Sequence, residues 1–219
     1  MQAIDHVITA SISEYRRIIG ISSPHEASGV SKLSRHLVEA FSLSHVKPLL
    51  IDLSSETTQG DKVDDDWVPI LKDPSSFIRH DSAGFDVLES HPDMNERFIF
   101  NNIDKFRDIL DKELSDYEAI IVDLPAILSG KSESINPASC AAACDAVYLV
   151  TMSGQTTRPS LTATKARLDA AKAPLAGVIL NDQNYVSTGK SIAQQLQRFS
   201  FVPGAKRLAK RVNKTEFLA

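Results

Sequence analysis

Residues 18–32 read Ile-Ile-Gly-Ile-Ser-Ser-Pro-His-Glu-Ala-Ser-Gly-Val-Ser-Lys, and a helical pattern follows at once. Ile18 to Ser22 is a short apolar run closed by turn residues, which predicts a strand. Val30 to Phe41 carries apolar residues at helical spacing, which predicts a helix. A strand that passes through a short loop into a helix is where phosphate-binding loops sit. Such a loop works because successive backbone N–H groups and the positive end of the helix cradle phosphate oxygens, while a lysine meets the β and γ phosphates and a hydroxyl holds magnesium. Gly29 and Ser31 fall where glycine and hydroxyl are wanted, with Ser28 just before them. The lysine position between them holds Val30, and the first glycine position holds Pro24. Lys32 is the nearby substitute, but on a helix it is turned roughly 200° from the vacant position. His25, in the loop itself, is either a phosphate contact or a solvated histidine.

Outward from this loop, apolar runs alternate with helical patterns, the signature of a mostly parallel sheet covered on both faces. The further strands are expected at Pro48 to Asp52, Phe85 to Leu88, Ala119 to Asp123, Ala146 to Thr151 and Ala176 to Asn181. Helices are expected at Asn95 to Leu114, Ser139 to Ala143, Leu161 to Ala171 and Ser191 to Phe199. From Glu56 to Asp81 the rhythm breaks: Asp61, Asp64, Asp65, Asp66, Pro69 and Pro74 fall among few periodic apolar positions, which reads as a long surface excursion carrying Trp67. Ligands in open α/β sheets bind beyond the carboxyl ends of the strands. Asp52, Asp123 and Asn181 each close a strand, so they would converge with the loop on one crevice. There Asp123 could reach a magnesium-bound water, and the Asn181 amide could read adenine.

A chain of 219 residues is long enough for one sizeable domain, expected here as residues 1–219 with a core of about 18–199 and a basic tail of 200–219. A composition of 42% hydrophobic and 24% charged residues is that of a soluble globular protein, and the formal net charge of −4 argues against a nucleic-acid partner. No apolar run approaches the roughly 20 residues that cross a bilayer, so the cytoplasm is expected. Cys140 and Cys144, four apart, share one helical face and read as small core residues, two ligands being too few for a zinc site. Gly189-Lys190-Ser191 resembles the end of a phosphate loop, but Asn184 stands where its first glycine is needed. The tail carries Lys206, Arg207, Lys210, Arg211 and Lys214, a solvated terminal helix or a patch for an anionic membrane surface or acidic partner.

Four stretches carry a family resemblance in order and spacing: Gly84-Phe85-Asp86-Val87-Leu88, YEAIIVDLPAIL from Tyr117 to Leu128, DAVYLVTMSGQTTR from Asp145 to Arg158, and APLAGVILNDQN from Ala173 to Asn184. The chain resembles the cytoplasmic ATP-binding domain of the bacterial tyrosine kinases of capsule and exopolysaccharide assembly, relatives of the MinD and ParA ATPases. The resemblance spans about Ile18 to Phe199 and implies a P-loop NTPase-like, doubly wound α/β fold in three layers. It implies ATP with magnesium in the crevice, with Ser28, Gly29, Val30, Ser31, Lys32 and Asn181 at the cofactor and Ser31 and Asp123 at the metal. Asp52 and Asp123 take the catalytic positions. The partner it implies is the cytoplasmic segment of a membrane chain-length regulator, which would hold the chain at the inner membrane.

The departures from the family lie in the chemistry. Val30 replaces the loop lysine, and a missing charge-assisted contact is worth about 1.5–3 kcal/mol in binding. Loss of a donor to transition-state charge costs about 10²–10³ in rate. The family's Asp-x-Asp pair with a later arginine becomes Asp52, Ser54 and Glu56, and its second proline after Asp123 becomes Ala126. The tail from Phe201 to Ala219 has no tyrosine to phosphorylate; the four tyrosines are Tyr15, Tyr117, Tyr148 and Tyr185. Glu14, Arg16 and Arg17 do not reproduce the Glu-x-x-Arg-x-x-Arg pattern that the family uses in ring assembly. Three functions stay open: a regulatory or scaffolding subunit of polysaccharide export without ATP chemistry, a working ATPase or tyrosine kinase completed by Lys32 or by a partner, and a positioning ATPase of the ParA kind.

Overall fold

The computed structural model describes residues 2–54, 74–89, 97–129 and 135–182. Trp67, Glu56, the acidic run of the excursion, Tyr185, the Gly189-Lys190-Ser191 stretch, the Ser191 to Phe199 helix and the basic tail lie outside them. Contacts gather Met1–Asn181 into one unit. Its elements run α1 (Gln2–Ser13), β1 (Ile18–Ser22), α2 (Val30–Leu43), β2 (Pro48–Asp52), β3 (Ile78–His80), β4 (Asp86–Glu89), α3 (Arg97–Asn101), α4 (Ile103–Lys112), β5 (Ala119–Asp123), α5 (Pro137–Ala142), β6 (Ala146–Met152), α6 (Arg158–Ala170) and β7 (Leu175–Asn181).

The seven strands form one sheet in the order β3-β4-β2-β5-β1-β6-β7, with β3 antiparallel to β4 and the other pairs parallel. The near-continuous apolar runs explain the centre: β1, β5 and β6 are buried at every position because helices cover both of their faces. On one face α1 and α2 supply Val7, Leu37, Val38 and Phe41 to a cluster with Ile19, Ile21 and Ile121. On the other face Phe100, Phe106, Ile109, Cys140 and Leu168 pack with Ile18, Ile120 and Leu149. The result is the expected P-loop NTPase-like, doubly wound, three-layer α/β/α fold. Cys144 sits against Gly20, where an added β-carbon would come 3.0 Å from its sulfur, so both cysteines are buried core residues.

Three differences from the sequence expectations have physical causes. Helix α1 was not foreseen, although Ile4, Val7, Ile8 and Ser11 fall at helical spacing and Val7 is buried against α2's cluster. The expected helix from Asn95 to Leu114 is divided, because Asn102 leaves the helical conformation and caps α4 by accepting from the Lys105 N–H. The last part of the expected surface excursion is strand β3, which pairs Ile78 with Leu88 and extends the sheet.

The amino-terminal edge of the sheet is closed by charged groups. Asp145 accepts from the Arg17 and Ile18 N–H groups, both at 2.8 Å, and from Arg107 at 2.6 Å. The Arg17 guanidinium donates to the Leu110 carbonyl at 2.7 Å, to Leu114 and Tyr117 carbonyls, and to Asp111. It thus serves carbonyls that the end of α4 leaves open. Arg16 pairs with Glu14 and reaches the Tyr148 hydroxyl, so these arginines are used within the chain. Tyr117 donates to Asp86 at 2.7 Å under the Lys47 ammonium, and Tyr148 is buried within β6. Among the described residues no helix is long and apolar enough to cross a membrane.

Candidate functional site

The opposite, carboxyl-terminal edge gathers most of the residues singled out in the sequence. Asp52 and Asp123 are register partners on β2 and β5, and Ile21 on β1 is the register partner of Asp123 on the other side. Because neighbouring strands lie about 4.8 Å apart, the two carboxylates leave the sheet side by side. Between them and α2 stand two hydroxyls: Ser31 Oγ lies 3.2 Å from Ser54 Oγ, and Ser54 donates to Asp52 Oδ1 through both its hydroxyl and its N–H, each at 2.9 Å. The Leu53 N–H donates to the Asp123 carbonyl at 3.0 Å and fixes the start of this segment.

Asp123 is the unusual group. Its side chain is 1% exposed, and its Oδ1 has no hydrogen-bond partner among the described residues. Burial pushes its carboxyl up to about 7, and the neighbouring Asp52 charge adds to the rise; the Ser31 and Ser54 hydroxyls and the Arg35 charge pull the other way. The buried hydroxyls of Ser11 and Ser34 are also without a partner among the described residues, but an uncharged group is far less costly to strand.

In the loop between β1 and α2, side chains engage backbone carbonyls. Ser23 and Ser28 hydroxyls both donate to the His25 carbonyl, at 2.6 and 2.7 Å. The Ser28 carbonyl accepts from the Asn181 amide at 3.0 Å. Two loop carbonyls are thereby engaged by side chains, and Ala27 and Gly29 take left-handed conformations, with φ of 57° and 86°. Gly29 is required twice over, since a β-carbon there would also come 2.6 Å from Asn181 Nδ2. Asn181, expected to read adenine, has its amide turned to the loop backbone. Val30, at the first position of α2, is 9% exposed and joins the apolar cluster with Ile21, Leu37 and Tyr148. Ser31 and Lys32 are exposed on the first turn, as is His25 in the loop.

A magnesium ion fits these oxygen donors, because a hard cation prefers carboxylate and hydroxyl ligands and Asp123 Oδ1 has a vacant lone pair. The N-terminus of α2 opens on this edge, and residue 30 brings it no ammonium group. Sequence reasoning named Ser54 only as a replaced aspartate and missed Arg35. Arg35 lies four residues after Ser31 and so on the same helix face, where it pairs with Asp81 at 3.3 Å.

The kinase domain of the Escherichia coli tyrosine kinase ETK matches with a TM-score of 0.70 at 22% sequence identity, over 85% of this chain and 77% of that one. This chain shares the fold of that domain. Also similar is the MinD cell division protein of Aquifex aeolicus, with a TM-score of 0.58 at 17% identity over 84% and 73% of the two chains. Cobyrinic acid a,c-diamide synthase from Mycobacterium smegmatis, solved with a bound ATP analog and magnesium, gives a TM-score of 0.60 at 14% identity over 77% and 74%. No protein-family model matches the chain, and no curated protein matches it by sequence.

Proposed function

We propose that this chain is a regulatory or scaffolding subunit of exopolysaccharide or capsular polysaccharide export. On this reading it has the kinase-domain fold without its ATP chemistry, and it binds the cytoplasmic segment of a membrane chain-length regulator. The observation that carries the reading is Val30. Its side chain belongs to the apolar cluster under α2, at the position between Gly29 and Ser31 from which a phosphate loop extends its lysine. The two tyrosines whose surroundings are described in the sheet support it as well: Tyr117 is held by Asp86 and Tyr148 is buried in β6, which gives both structural work. Such a subunit acts by shape, so its location at the inner membrane follows from its partner. Titration with Mg·ATP tests the reading together with co-purification on the regulator's cytoplasmic segment. The expected result is capture without nucleotide; micromolar ATP binding with measurable hydrolysis overturns it.

A second reading, a working ATPase or tyrosine kinase, is favoured by the survival of Gly29, Ser31, Asp52 and Asp123 at one edge and by the vacant lone pair of Asp123. Under it, Asp123→Asn abolishes a turnover that the wild-type chain displays.

A further inference from the structure

The loop between β1 and α2 bends through two left-handed residues, Ala27 and Gly29, which flank Ser28. An alanine is disfavoured in that conformation, so the bend persists only where the surroundings over-determine it. Here they do so from three directions. Within the loop, the Ser23 and Ser28 hydroxyls donate to the His25 carbonyl. From the stretch after β5, the Ile127 and Leu128 N–H groups donate to the Ser23 and Pro24 carbonyls, at 2.8 and 3.1 Å. From the end of β7, the Asn181 amide donates to the Ser28 carbonyl at 3.0 Å, and it lies so close to Gly29 that only a residue without a β-carbon fits beside it. Asn181 is itself anchored: its carbonyl accepts from the Ser153 N–H at 3.0 Å, and it is the register partner of Met152 on β6. Ser23, Pro24 and Ser28 are buried, whereas His25, Glu26 and Ala27 form an exposed crest.

We infer that the chain locks this loop in its bent shape without any ligand, and that Asn181 is the latch, a positioning residue acting through the Ser28 carbonyl. The inference rests on the preceding reading: a subunit that acts by shape needs the crest fixed in the nucleotide-free state. Asn181 acts where the backbone is costly, because Ile127 and Leu128 hold residues 23 and 24 while the left-handed pair lies on either side of Ser28. The Ser23 and Ser28 hydroxyls bond inside the loop and would move with it. The latch therefore joins the end of β7 to a loop 153 residues earlier in the sequence, so that a shift of the strand end is felt at the crest.

The test is ¹⁵N relaxation on the full, nucleotide-free chain. Backbone order parameters of Glu26 to Gly29 are expected near about 0.85, the value of rigid backbone. Asn181→Ala is expected to lower those of Ala27, Ser28 and Gly29 below about 0.6, while β1 and the body of α2 keep theirs. Should Asn181→Ala fail to fold, the isosteric Asn181→Asp takes its place with the same expectation, since a carboxylate cannot donate to a carbonyl. A wild-type loop below about 0.6, or a loop equally ordered in the variants, overturns the inference. Repeating the measurement with Mg·ATP separates the two ideas. Loop order that arises only with ATP contradicts both the lock and the scaffolding role. A loose loop that ATP leaves unchanged contradicts the lock alone, and an ordered loop that binds and hydrolyses ATP contradicts the scaffolding role alone.

Discussion

At the amino-terminal edge of the sheet Arg17, Arg107, Asp111 and Asp145 satisfy one another, whereas at the carboxyl-terminal edge the buried Asp123 Oδ1 has no hydrogen-bond partner among the described residues. Both edges are made by the same strands and both carry acids next to strand ends. They differ in what arrives from the helices. At the first edge α4 delivers Arg107, and the end of that helix receives the Arg17 guanidinium. At the second edge α2 delivers Val30 and Ser31, one apolar and one neutral. The contrast separates two uses of polar groups: those paired within the chain hold the fold, and those left unpaired are available to something else.

The comparison is broken most severely at the amino edge. Asp145→Ala removes three bonds, two of them to backbone N–H groups, and is expected to destabilise the chain by about 3 kcal/mol in urea unfolding. At the carboxyl edge the sign reverses. Folding raises the Asp123 carboxyl from 3.8 to about 7, so it contributes stability that is complete below pH 3.8 and lost as pH climbs through about 7. Asp123→Asn, which carries no charge, is therefore expected to be more stable than wild type by about 2 kcal/mol at pH 8. The advantage should vanish in unfolding curves at acid pH; a variant less stable at pH 8 would show that the carboxylate is already compensated. In the loop, Gly29→Ala forces a side chain into the left-handed region and against Asn181. It is expected to cost about 1.5 kcal/mol by thermal unfolding. Smallest is the outer face of α6, where Lys165 pairs with Asp169 in solvent: Lys165→Ala should shift stability by less than about 0.5 kcal/mol in the same assay.

Much of the sheet was legible because its central strands are buried on both faces and so read as unbroken apolar runs. Ile18 to Ser22, Pro48 to Asp52 and Ala119 to Asp123 fall at their expected residues. Strand β3 was not legible, since Ile78 is the one apolar residue of Ile78–His80 and its pairing with β4 is set by the turn at Asp81 and Gly84. Of the site, the sequence gives away the residue types and their place at strand ends. It cannot give away that Asp123 Oδ1 is stranded or that Ser54 bridges Ser31 and Asp52. It is equally silent on Asn181, which points at Ser28. Those facts depend on side-chain directions and on contacts between segments up to 153 residues apart. Val30 shows both sides of this: its identity announces a missing ammonium, but only the packing reveals that it has joined the core.

The central claim is that residue 30 decides whether this crevice grips a triphosphate. Calorimetric titration of Mg·ATP into the wild-type chain and into Val30→Lys, with hydrolysis followed in both, tests it most directly. The account predicts no saturable micromolar uptake and no turnover by the wild type, and affinity gained by about 10–100-fold in the variant. Micromolar binding with turnover by the wild-type chain, unchanged by the substitution, would contradict it.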